Sequence, residues 1–117
     1  MRIIFKILTL VVLIAIAYLS LKPSVQLVEV NDKVGHFIAY FTLMFLMGLG
    51  FWNKKSELLI AFVLSAIYGA LMEIGQYFVP GRSFSFLDML ANASGALLAT
   101  GFLLLFGKNI IHLLRIK

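Results

Sequence analysis

The 117 residues carry a net charge of +5, contain no cysteine, and are 62% hydrophobic against only 13% charged. A soluble domain is about half apolar and a quarter charged, so too few polar residues remain to clothe a water-facing surface, and a mean hydropathy of +1.05 puts the chain among integral membrane proteins. The lack of cysteine excludes disulfides, thiolate metal sites and cysteine nucleophiles; the ten Lys and Arg are scattered over short loops and the two ends, without the aromatic-interleaved basic stripe that a nucleic-acid partner requires.

Four apolar runs follow in chain order. The first, 3–21, is broken only by Lys6 and is followed by Lys22-Pro23. The others are 34–51, 58–78 and 87–106. Each is close to the roughly 20 residues that cross the hydrocarbon as a helix. Pro23 and Pro80 both fall in connections, where a missing N–H does no harm. The expected fold is therefore all-α, a single domain over 1–117 with four transmembrane helices. A shorter reading takes the first run as a signal peptide with Ala15-Ile16-Ala17 as cleavage site. The run is long for that and continues through Tyr18-Leu19. The tail 107–117, GKNIIHLLRIK, alternates basic and apolar residues and reads as an amphipathic anchor on the inner membrane surface. His112 has no chemistry there.

Flanking Lys and Arg set the orientation. Arg2, Lys6, Lys54, Lys55, Lys108, Arg115 and Lys117 fall on one side, against Lys22, Lys33 and Arg82 on the other. Both termini are expected in the cytoplasm. Glu73 then sits about five residues below the outer end of the third span, Asp88 opens the fourth with Asn92 one turn deeper, and Asn31-Asp32-Lys33 leads the second span into His36 and Tyr40. The inner ends hold nothing comparable.

Residues three and four apart share a helix face. That groups Ala66, Gly69, Ala70 and Glu73 with Gln76 or Tyr77, and separately Asp88, Asn92, Gly95 and Ala99. Small residues let helices approach closely in lipid and polar ones bond across the gap. Two such faces meeting would enclose a polar pocket at the outer end, with His36 and Tyr40 as a third wall. Simpler roles exist for most of these residues. Val79-Pro80-Gly81-Arg82 suits a type II turn, and Ser85-Phe86-Leu87-Asp88 resembles a capping box with Asp88 in the acidic position. Gln76 and Asn92 serve as interhelical glue, and Arg82 as a phosphate-seeking anchor. Glu73 is hardest to explain that way. A charge near the bilayer centre costs about 2.5–3.5 kcal/mol on insertion scales, so Glu73 needs a partner such as Arg82, Gln76 or His36, or a proton.

The same residues carry a resemblance. Asp32-Lys33-x-x-His36, then Glu73-x-x-Gln76, then Arg82-x-x-Ser85-x-x-Asp88-x-x-x-Asn92-x-x-Gly95, with Ser20-Leu21-Lys22-Pro23 closing the first span, resembles the signature of the VanZ-like family. The order and spacing cover nearly the whole chain; Ala99 stands where the family often has a second Gly. The resemblance implies a small multi-pass protein of the bacterial cytoplasmic membrane, in a family whose founding member is associated with resistance to the glycopeptide teicoplanin. It implies a site but supplies no reaction.

The favoured expectation is a binding module. Asp32, Lys33, His36, Glu73, Gln76, Arg82, Asp88 and Asn92 would hold a polar or phosphate-bearing headgroup of an envelope lipid, a lipid-linked intermediate or a lipoglycopeptide. One alternative is a membrane-embedded hydrolase or transferase using Glu73 and Asp88 as a carboxylate pair and His36 as base. Another is a structural or assembly role, including a homo-oligomer, in which polar residues only join helices. No HExxH, GxSxG or P-loop motif is present. No cofactor is expected, and a metal held by His36 and the carboxylates is weakly signalled. Four unbroken spans without a polar path through the inner half argue against a transporter.

Overall fold

The computed structural model describes residues 2–21, 32–79 and 86–113, and for Asp32 and Lys33 the backbone only. Four long helices make the bundle: α1 (Arg2–Leu21), α2 (Asp32–Phe51), α3 (Lys55–Tyr77) and α4 (Phe86–Phe102). A π-helical turn, Leu103–Gly107, carries α4 into a fifth piece, α5 (Lys108–Leu113). All four are long and apolar enough to cross a membrane, and the bundle is 46 Å long by 22 Å across. Their outward faces are mostly apolar, with residues such as Ile14, Tyr18, Val63, Leu97 and Leu105 half to three-quarters exposed. Such a surface is stable only against lipid, and the chain is a multi-pass membrane protein.

The expected segments and the helices agree in number and order, with shifts at the ends. α3 starts at Lys55 because the Glu57 carboxylate accepts a 2.8 Å hydrogen bond from the Lys54 backbone N–H, satisfying an orphan donor of the first turn. The stretch 107–113, which begins the tail expected as an amphipathic anchor, continues α4 without a break, as one 28-residue helix to Leu113.

Two glycine contacts explain that continuation. A Cβ on Gly107 would collide with the Trp52 ring, and one on Gly48 would collide with the Leu103 side chain. Leu103 therefore lies over Gly48 and Trp52 over Gly107, locking the π-turn onto the end of α2. Leu103, Met44 and Leu58 are fully buried in the same cluster, and Trp52 is nearly so. At this end Arg2 donates a 2.6 Å hydrogen bond to the Asn53 side chain and a second to the Trp52 carbonyl. Lys6 lies 5.2 Å from the centre of the Phe51 ring. α1 is thus a packed member of the bundle, joined further along by the Tyr68 hydroxyl donating to the Leu13 carbonyl.

Candidate functional site

The opposite end of the bundle is where α2 and α4 begin and α3 finishes. α2 and α4 meet there almost backbone to backbone: a Cβ on Gly95 would run into the Phe37 carbonyl oxygen. No side chain can be added without separating the helices. One turn toward the end, that contact brings His36 of α2 against Asn92 of α4. The His36 Nδ1 and Asn92 Oδ1 are 2.7 Å apart. Since Oδ1 only accepts, Nδ1 carries the proton.

On the far side of the imidazole, His36 Nε2 faces the Asp88 Oδ2 at 3.7 Å. Asp88 is the third residue of α4 and its acidic first-turn residue, so its charge also complements the positive end of the helix dipole. The Ser85 half of the expected capping box lies outside the described residues. Asp88 nevertheless faces the site, with the residue 9% exposed.

α3 supplies the third wall. Its buried stripe is Leu58, Ala61, Ser65, Gly69, Glu73 and Gln76. The expected stripe was rotated by a fraction of a turn: Ser65 lies at its centre, Ala66 and Ala70 are half-buried, and Gln76 rather than Tyr77 turns inward. A Cβ on Gly69 would stand 3.0 Å from the Asn92 Cβ and 3.1 Å from the Tyr40 ring, so this glycine lets α3 close on both neighbours. One turn further, Glu73 is 1% exposed. One ligand-type atom each from His36, Glu73 and Asp88 lies within 4.8 Å of the others. Tyr40, one turn below His36, is 2% exposed, and its hydroxyl has no hydrogen-bond partner among the described residues. The same holds for the Asn92 amide nitrogen.

Of the eight expected site residues, the structure brings His36, Glu73, Asp88 and Asn92 into one cluster, with Gln76 buried on the same stripe of α3. Asp32 and Lys33 form the first turn of α2, though their side chains lie outside the described residues; Arg82 and the turn 80–82 lie outside them altogether. Sequence reasoning named His36 and the carboxylates Glu73 and Asp88 as a weakly signalled metal set, but it could not give their separation. The three residues come from three helices, and only packing fixes their separation. Tyr40 appeared as a wall residue, but its buried, unpartnered hydroxyl appears only in three dimensions.

Chemically the arrangement offers one imidazole oriented by Asn92, two carboxylates, and two buried donors without a hydrogen-bond partner among the described residues. It can bind a polar group, hold a cation or move a proton.

No solved structure shows a significant match to this chain. The chain is 32% identical over 110 residues to the uncharacterized protein C11E3.10 of Schizosaccharomyces pombe, covering 92% of this chain and 67% of that one. That relative takes the likeness beyond bacteria, so a bacterial source does not follow from it. The model of the VanZ/LLP1 family matches residues 2–107, which include all four long helices and the whole polar cluster. With both matches spanning most of its length, the chain belongs to the VanZ/LLP1 family.

Proposed function

We propose that the polar end of the bundle binds the phosphate-bearing headgroup of a membrane lipid, with the acyl chains lying against the apolar helix faces. The observation that carries the reading is the delivery of four costly polar side chains, His36, Glu73, Asp88 and Asn92, from three helices to one end of a chain otherwise surfaced with hydrocarbon. Helix association alone does not require two buried carboxylates there. Small residues at Gly69 and Gly95 already supply the close packing that joins membrane helices. The sequence next to these residues also carries Lys33 and Arg82, cationic types suited to phosphate through charge-assisted hydrogen bonds. The balance of Lys and Arg in the flanks favours the outer face of the membrane for this end. A relative in a eukaryote favours a headgroup common to many membranes, a glycerophospholipid phosphate, over an envelope precursor or a teicoplanin-type drug.

The test is lipid co-purification from the host membrane, with E73Q and R82A compared against the wild-type chain at equal protein levels. Loss of a specific phospholipid in both variants supports the reading. Unchanged lipid content together with lower thermal stability would instead give these residues a purely structural role.

A second reading, an enzyme acting on the same lipid, is favoured by one observation: the Asn92–His36–Asp88 line holds an imidazole between an orienting amide and a carboxylate. That arrangement suits a general base. Headgroup release by purified protein, absent in H36A, is the result that would select it.

A further inference from the structure

The 3.7 Å between His36 Nε2 and Asp88 Oδ2 is too long for a direct hydrogen bond. It does suit two ligands of one metal ion. Zinc binds imidazole nitrogen and carboxylate oxygen at about 2.0–2.2 Å, so neighbouring ligand atoms on one ion stand roughly 3.3–4 Å apart. The proton on Nδ1, held by Asn92, leaves the Nε2 lone pair facing the carboxylate. A metal-binding histidine has the same orientation, its other ring N–H donated to a neighbouring oxygen. Glu73 brings the third ligand-type atom, all three lying within 4.8 Å of one another. Closing the widest of these separations onto one ion takes a side-chain shift of a few tenths of an ångström to about 1 Å.

A separate observation points to the same place. Tyr40 is 2% exposed and its hydroxyl has no hydrogen-bond partner among the described residues. Its ring packs at Gly69 beside Asn92, one turn along the buried stripe of α3 from Glu73. Buried hydroxyls are normally bonded, and this one stands beside the polar cluster. A ligand or water carried by an ion in the cluster gives it a partner.

We propose that His36 Nε2, one oxygen of Glu73 and one oxygen of Asp88 bind a single divalent metal ion of the zinc class, with Asn92 as the positioning residue for the imidazole. One nitrogen and two oxygens favour zinc or manganese over magnesium and calcium, which take oxygen ligands. Three protein ligands leave a fourth position open, as in catalytic rather than structural zinc sites. Metal binding does not depend on the headgroup reading. Where that reading also holds, a phosphate oxygen takes the open position.

The experiment uses the full chain, purified in detergent without a polyhistidine tag and stripped with a chelator. Zinc alone is titrated by calorimetry, and cobalt is added as a spectroscopic substitute. The expected result is one zinc per chain, a rise in the unfolding temperature that chelator reverses, and binding far weaker for magnesium. H36Q and D88N should each lower zinc affinity at least tenfold, while H112A, at the other end of the bundle, changes nothing. N92A should weaken binding about 10–100-fold, the usual effect of losing an orienting partner. Its cobalt spectrum should remain that of a protein-bound ion. If the ligand variants do not fold, the wild-type cobalt spectrum decides, because intense bands of a low-coordinate ion support the site and a six-coordinate aquo spectrum overturns it. Absence of stoichiometric zinc binding, or binding that H36Q and D88N leave intact, also overturns the proposal. So does loss of binding in H112A. Lipid co-purification is read separately, so the two proposals can fail independently.

Discussion

The imidazole of His36 and the amide of Asn92 join α2 to α4 at 2.7 Å, one turn from the point where Gly95 lets the two backbones touch. In membrane proteins such interhelical bonds average about 0.6 kcal/mol and reach about 1.7 kcal/mol, because the unfolded helices find other partners. Both side chains here are largely buried, and the geometry is near the short end of the normal range. A double-mutant cycle with H36A and N92A should give a coupling of about 1 kcal/mol in detergent unfolding. A coupling indistinguishable from zero would mean that the contact does not persist.

Gly95 and Gly101 lie on the same helix and should respond oppositely to substitution. At Gly95 a Cβ meets the Phe37 backbone, which cannot swing aside. G95A should therefore destabilise by more than about 1–3 kcal/mol, the range for overpacking, and G95L should fail to accumulate. At Gly101 a Cβ meets nothing within 4 Å, so G101A should be neutral or stabilising by up to about 1 kcal/mol through helix propensity. Unfolding temperatures of the pair in one detergent check this; equal effects would contradict the close approach at Gly95.

Trp52 closes the other end of the bundle, its ring against Gly107. Removing a buried aromatic ring costs about 3–5 kcal/mol, so W52A should be among the most damaging substitutions at this end. G107V should give a similar loss by forcing the ring out. Thermal aggregation in detergent reads both, and a mild effect of either would detach α5 from the core.

Because the chain has no cysteine, single introduced thiols can be labelled without background. K54C should be protected from a membrane-impermeant maleimide added outside intact cells, and G81C should react. The reverse pattern would turn the polar end toward the cytoplasm.

The number, order and approximate limits of the helices were readable because apolar runs of about 20 residues have few alternatives in a membrane. The face of α4 was readable as well: Asp88, Asn92, Gly95 and Ala99 are all buried. The face of α3 was read less well. Ala66, Ala70, Ser65 and Gly69 are all small, so side-chain size alone did not fix which of them turned inward. The continuation of α4 through 107–113 was not readable for a similar reason. The alternation of basic and apolar residues there describes surface affinity, whereas the contacts of Gly107 with Trp52 and Leu103 with Gly48 depend on residues more than fifty positions away. At the site itself the polar residues announced themselves by their expense in lipid. Their convergence around His36 depended on three interhelical packings that no local pattern encodes.

The unbroken run from Phe86 to Leu113 spans about 42 Å at 1.5 Å per residue, while α2 reaches only about 30 Å. One rod thus overshoots a hydrocarbon slab of about 30 Å, and its surplus must project or lean. Arg2 and Lys6 pack at this end and Lys108 opens α5, residue types that favour a lipid–water boundary. Such anchors favour one depth of immersion for the bundle. Because α2 and α4 touch backbone to backbone at Gly95, the depth of the long rod is also the depth of the imidazole of His36.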